Sequence, residues 1–179
     1  MIVGSPTDYQ SAISMNNLGA SLIVIGNPKE AVTHLTNALS YSKSLTSQAT
    51  VRYEEADQSS EPRFDAWICQ ACTFGRSAAD VTGSFVYSQP IIIPTDDTPS
   101  KFETNLLMTT SAIVFNMAIA HHLSGIQQGN DPRLLQKAVL CYEYSFNLSE
   151  VYRNKHTGSC MYYTMAVLNN LGVCQRSLG

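Results

Sequence analysis

Apolar residues recur at spacings of three and four along most of this chain, the pattern of helices that bury one face. Met15, Leu18, Leu22 and Ile25 form the first such stripe. Ahead of it, Ser5, Pro6 and Asp8 supply an N-cap, a proline in the first helical position and an acid in the first turn, so a helix is predicted from there to Gly26. "GNPKEA" then restarts the chain: Gly26 takes the left-handed C-terminal conformation, Asn27 caps, Pro28 opens the next helix and Glu30 sits at the capping-box position. That second helix carries Ala31, Leu35, Ala38 and either Tyr41 or Leu45 on one face. The two are expected to fold back as an antiparallel pair.

The same grammar returns further along. Ser100 with Glu103 marks the start of a long apolar-periodic helix, from about Lys101 to Ser124, and "GNDPRL" at Gly129 to Leu134 repeats the stop, cap and proline of "GNPKEA". "NNLG" occurs at Asn16 to Gly19 and again at Asn169 to Gly172, with "FNMA" at Phe115 to Ala118 as a weaker copy between them. Met117 and Ala118 match Leu18 and Gly19, while Ala138, Tyr142 and Ser145 match the second helix of the first pair. The middle hairpin is longer, each of its helices having gained about one turn of roughly 3.6 residues. A third copy supplies one helix, from about Ser159 to Ser177, with Leu168, Leu171 and Cys174 on its stripe and Gly172 at the small position. Either that helix caps the stack or the chain is part of a longer array; the apolar Leu171, Val173 and Leu178 favour the array.

Leu18, Gly19, Leu22, Ala31, Leu35 and Ala38 lie on a spacing that resembles the tetratricopeptide repeat, a helix-turn-helix unit of about 34 residues. Glycine inside a helix costs roughly 1 kcal/mol relative to alanine, so Gly19 implies a close approach. The resemblance implies a mainly all-α chain in which helix pairs at 5–45 and 100–151 and a terminal helix at 158–178 stack as a short right-handed superhelix, a single domain over 1–179. "FVYSQPIIIP", "IVFNMAIAHHL" and "LLQKAVLCYEYSFNL" also resemble a group of tetratricopeptide-like proteins abundant in diatoms, a likeness of pattern over roughly the second half without diagnostic catalytic residues.

Between the pairs, residues 46–99 break the helical period. "FDAWICQACTF" and "GSFVYSQPIIIP", rich in aromatic and β-branched residues between Gly, Pro and Asp, read as strand-like or extended pieces, with a hairpin over the helices as one arrangement. The first run reads nearly as well as a helix. "EEADQSSEPR" at Glu54 to Arg63 reads as a loop.

Composition narrows the chemistry. Of 179 residues, 44% are hydrophobic and 14% charged, which predicts a folded chain, and a net charge of −3 with scattered Lys and Arg offers no footprint for nucleic acid or an anionic membrane. No run of about 20 apolar residues stands out as a membrane span, and no export signal precedes the first helix. Five cysteines at irregular spacing fit reduced thiols, hence an intracellular protein, cytoplasmic or nuclear. No HExxH, phosphate loop, dinucleotide fingerprint or GxSxG occurs, so no enzyme, cofactor or metal is expected. Cys69 and Cys72 form a lone Cys-x-x-Cys, which leaves a metal- or thiol-dependent protein as the alternative, beside a ligand-free structural fragment. Glu54 with Glu55 and Asp96 with Asp97 read as solvated turns.

The favoured expectation is a protein or peptide binding module. Asn17, Asn116 and Asn170 share one position of the first helix of each pair. In the resembled family, including the kinesin light chain type with its own Asn-Asn-Leu pattern, that face lines the concave groove. A carboxamide there both donates to and accepts from an extended peptide's backbone. Ala20, Val24, Ile119, His122 and Leu123 join the expected contacts, while His121, at the position of Leu22, reads as core. The competing reading has each asparagine bond a neighbouring repeat and align the stack.

Overall fold

The computed structural model describes residues 6–49, 87–95, 102–155 and 161–179. They form five helices, α1 (Pro6–Val24), α2 (Pro28–Ala49), α3 (Phe102–Gln127), α4 (Pro132–Lys155) and α5 (Met161–Leu178), with no strand among the described residues. The described residues therefore adopt the expected all-α class. Residues 87–95, where part of an extended insertion is expected, form no strand pairing with the other described residues, and the rest of the expected hairpin lies outside them. "FDAWICQACTF" and the Glu54 to Arg63 stretch lie outside the described residues.

The turns follow their local chemistry. After α1, Gly26 at φ 85° lets its N–H reach the Ile23 carbonyl at 3.0 Å and brings the Asn27 N–H to the Leu22 carbonyl at 2.8 Å. These two bonds are a Schellman stop, and they satisfy carbonyls the helix would otherwise leave bare. The turn after α3 uses Gly129 at φ 71° and adds Asn130 at φ 64°, so the longer reach falls from the Asp131 N–H to the Gly125 carbonyl. Asp131 Oδ1 then accepts from the Arg133 N–H at 2.9 Å, capping α4 ahead of Pro132.

Consecutive helices pack as antiparallel neighbours, and α1 also touches α3. Ala12 and Ala38 share a cluster near one end of the first pair, while Gly19 meets Leu35 further along. A Cβ on Gly19 would stand 2.6 Å from Leu35 Cγ, so the glycine is what lets α2 come this close. The helix pair therefore owes its spacing to a missing methyl group.

Helix α3 is central. From Leu106 to Ala120 only Leu107 and Met117 are not fully buried, which is how a helix enclosed on several sides reads. Its polar residues are answered across helices: Thr109 Oγ1 by Tyr9 Oη at 3.1 Å, Thr110 by the Ser42 hydroxyl, and Ser111 Oγ by Tyr163 Oη at 2.7 Å. Phe115 packs against Tyr163 of α5 with ring centres 5.5 Å apart and planes tilted by 52°. Contrary to the expectation from sequence, Leu106–Gln127 is long and apolar enough to cross a membrane by length and composition, but 78% of its most apolar window is buried inside the protein. Its hydrophobicity serves the core.

Two apolar stripes need correction. In α1 the buried residues are Tyr9, Ala12, Ile13, Asn16, Gly19, Ala20 and Ile23, whereas Leu18 is 45% exposed and Ile25, just past the helix, 74% exposed. In α5 Cys174 is buried as expected, but Leu168 is exposed and the buried face is Tyr163, Ala166, Val167, Asn170, Val173 and Cys174. In both helices the packed face mixes large residues such as Ile13 and Tyr163 with alanine and asparagine, and it is rotated from the stripe that the leucines mark. In α2 the expected Ala31, Leu35 and Ala38 are buried, and of Tyr41 and Leu45 it is Leu45 that enters the core.

Candidate functional site

Within the segment "YSQPIIIPT", Tyr87 to Thr95, the stretch from Pro90 to Pro94 is preset to be straight, between bends at Gln89 and Thr95. Pro90 and Pro94 each fix φ near −65° and disfavour helical backbone at Gln89 and Ile93 before them. Ile91, Ile92 and Ile93 add three β-branched residues between the prolines. In an extended chain the N–H and C=O of alternate residues face one edge, and side chains alternate between faces. Ile91 and Ile93 are accordingly buried together, and Ile92 is 54% exposed.

That edge is held by asparagines. Asn116 of α3 accepts from the Ile91 N–H at 2.7 Å through Oδ1 and donates to the Ile91 carbonyl at 2.8 Å through Nδ2. Asn17 of α1 does the same to Ile93, both bonds at 2.8 Å. Asn170 of α5 donates to the Tyr87 carbonyl at 2.9 Å. Residues 91 and 93 are alternate, as one edge of an extended chain requires, while Tyr87 lies in a turn before the bend at Gln89. An N–H can only donate, so the Ile91 and Ile93 amides themselves dictate which way the carboxamides of Asn116 and Asn17 are turned.

A second set of asparagines steadies the first. Asn16 Nδ2 donates to Asn17 Oδ1 at 3.1 Å, and Asn169 Nδ2 donates to Asn170 Oδ1 at 3.3 Å, so each Asn-Asn pair uses its first member to orient its second. Helix α3 has Phe115 in place of a first asparagine, and there Asn16 reaches across: Asn116 Nδ2 donates to Asn16 Oδ1 at 2.9 Å, while Asn16 Nδ2 also reaches the Ile91 carbonyl at 3.1 Å. Asn16, Asn116 and Asn170 are fully buried. An unmet amide in such a place costs roughly 1 to 3 kcal/mol, so the segment and the ladder complete each other.

The structure thus brings the expected Asn17, Asn116 and Asn170 to one strip, against an extended backbone belonging to the chain itself. Ala20 and Ile119 are buried, Leu123 is half-buried and Val24 is 59% exposed. His122 is fully buried, with its ring 6.2 Å and edge-on from that of Tyr142, whose hydroxyl lies 3.5 Å from Nδ1. Burial pushes its pKa down to about 4. His121, expected in the core, is the half-buried one. Sequence reasoning missed Asn16 and the occupant; the signals were the doubled Asn-Asn and the paired prolines around "III".

No group of three or more potential metal ligands occurs among the described residues; Cys69, Cys72, Glu54, Glu55, Asp96 and Asp97 lie outside them. Burial raises the Cys174 thiol to about 12 and Cys141 to about 11. Compared with known proteins, the chain matches no family model, no curated protein and no solved structure.

Proposed function

We propose that the protein is a peptide-binding interaction module of tetratricopeptide-like build, whose site is the strip of Asn17, Asn116 and Asn170 on the first helix of each pair. The observation that supports this reading is the paired grip of Asn116 on Ile91 and of Asn17 on Ile93. Each carboxamide takes both backbone groups of one residue and touches no side-chain polar group of the segment. Such contacts are met by any extended peptide, with selectivity left to the pockets under alternate side chains. The partner is a protein or peptide, and no catalytic group is needed.

A displayed library of linear peptides, panned on wild type and on an Asn17→Ala, Asn116→Ala, Asn170→Ala variant shown to be folded by circular dichroism, tests the reading. Peptides retained by wild type and lost on the variant are expected. A library that yields no binder, or only binders held equally by both proteins, would sink it.

A further inference from the structure

We infer that Tyr87 to Thr95 is a built-in competitor for the peptide site, and that the partner is an extended segment carrying branched apolar residues two apart. This rests on the peptide-binding reading above. Three observations carry it.

First, everything the asparagines hold on the segment is main chain: the N–H and C=O of Ile91 and of Ile93, and the C=O of Tyr87. A second peptide can present the same groups in the same places. Second, Ile91 and Ile93 fill dry positions, while Ile92 between them faces solvent. A replacement must therefore bring two apolar side chains at i and i+2 or leave voids, and it is free at i+1. Third, the segment runs from α5 at Tyr87, past α3 at Ile91, to α1 at Ile93, against the chain order of the helices. A partner entering by the same bonds lies in that direction, its N-terminal end towards α5. The prolines bracketing the isoleucines keep such a peptide straight before it binds, which lowers the cost of ordering it.

A tethered ligand competes at an effective concentration of roughly millimolar. The native segment therefore sets a threshold that a partner in trans must exceed, and loosening the segment opens the site.

The probe is a fluorescein-labelled acetyl-YSQPIIIPT-amide, titrated by anisotropy into wild type and into an Ile91→Asp, Ile93→Asp variant whose own segment is expelled by two buried charges. Should the aspartates unfold the protein by circular dichroism, Pro90→Gly with Pro94→Gly is the milder release. The released variant is expected to bind roughly tenfold or more tightly than wild type. A peptide N-methylated at its first and third isoleucines, which removes the two clamped donors, is expected to bind neither protein.

Equal affinity for wild type and released variant would overturn the competition. So would binding that survives N-methylation. Both results leave the library result, and with it the module reading, standing on its own. Absence of binding to the released variant while library peptides bind through the asparagines would overturn the Ile-x-Ile partner alone.

Discussion

Asn116 holds Ile91 by both backbone groups across 25 residues of sequence, its Oδ1 2.7 Å from the isoleucine nitrogen and its Nδ2 2.8 Å from the carbonyl. Removing the carboxamide leaves the buried Ile91 N–H without its acceptor and Asn16 Oδ1 without its donor, whereas the Ile91 carbonyl keeps Asn16 Nδ2. Asn116→Ala is therefore expected to cost roughly 1 to 3 kcal/mol, and Asn17→Ala, half-buried, about 1 kcal/mol or less. Denaturant midpoints measure the totals. Amide exchange separates the sites: Asn116→Ala should first release protection at Ile91, and Asn17→Ala at Ile93. Uniform loss along the chain in both variants would show that the asparagines act on global stability and hold no particular residue.

Gly19 and Gly172 occupy the same place in the two "NNLG" copies and are expected to respond oppositely to alanine. A Cβ on Gly19 meets Leu35 Cγ at 2.6 Å, while a Cβ on Gly172 meets nothing within 4 Å. Overpacking costs about 1 to 3 kcal/mol, more than the roughly 1 kcal/mol that alanine gains in a helix. Gly19→Ala should destabilise, and Gly172→Ala should stabilise by up to about 1 kcal/mol. A double-mutant cycle with Leu35→Ala checks the cause, since the shortened side chain should remove the penalty at position 19.

Those two glycines also show what was legible in the sequence. Caps, prolines and left-handed glycines are local devices, so the helices appear close to where the spacing put them, and Gly19 announces a close approach. The packed face was less visible. In α1 the buried Asn16 and Ala20 look polar or neutral, and the exposed Leu18 and Ile25 look like core. The error then travelled by repeat equivalence. That equivalence places His121 with Leu22 in the core, yet Leu22 and His121 are both half-buried, while Ile23 and His122, one position on, are both buried. The register was sound and the reference stripe was wrong. The occupant of the asparagine strip was hidden for another reason: Asn17 and Ile93 are 76 residues apart, and no periodicity links a helix to a strap.

His122 gives the protein an acid-side weakness. Its pKa is about 4 in the folded chain against an ordinary 6.5, because burial disfavours the charged ring. The unfolded chain therefore binds the proton first. Stability should fall as pH drops from about 6.5 towards 4, flatten below that and be indifferent to this residue above about 7, with an upper bound on the order of 3 kcal/mol. His121, lowered by burial and by Lys137, adds to the slope in the same direction. His122→Gln removes the titration, and urea midpoints at pH 7 and pH 5 should lie closer together than in wild type. An unchanged gap would assign the acid sensitivity to other groups.

Cys174 reports on the last helix. It is fully buried, and its thiol is raised to about 12, so at pH 8 the native state holds almost no reactive thiolate there. Alkylation must wait for α5 to lift away. That helix packs on α4 and reaches α3 through Tyr163, which bonds Ser111 and Ser145, and it is tied to the strap by Asn170. Asn170→Ala cuts that last tie together with the side-chain hydrogen bond between Asn170 and Tyr142 of α4, and leaves the Tyr163 contacts in place. Iodoacetamide labelling followed by peptide-resolved mass spectrometry should therefore find Cys174 slow in wild type and roughly five- to tenfold faster in Asn170→Ala, the ratio expected for about 1 to 1.4 kcal/mol of lost docking. Cys141, half-buried on α4, is the internal reference, and its rate should change little. If both cysteines accelerate together, α4 and α5 open as one unit and the strap stabilises the whole stack. If Cys174 alone accelerates, Asn170 fastens the terminal helix locally, through the Tyr87 carbonyl and Tyr142.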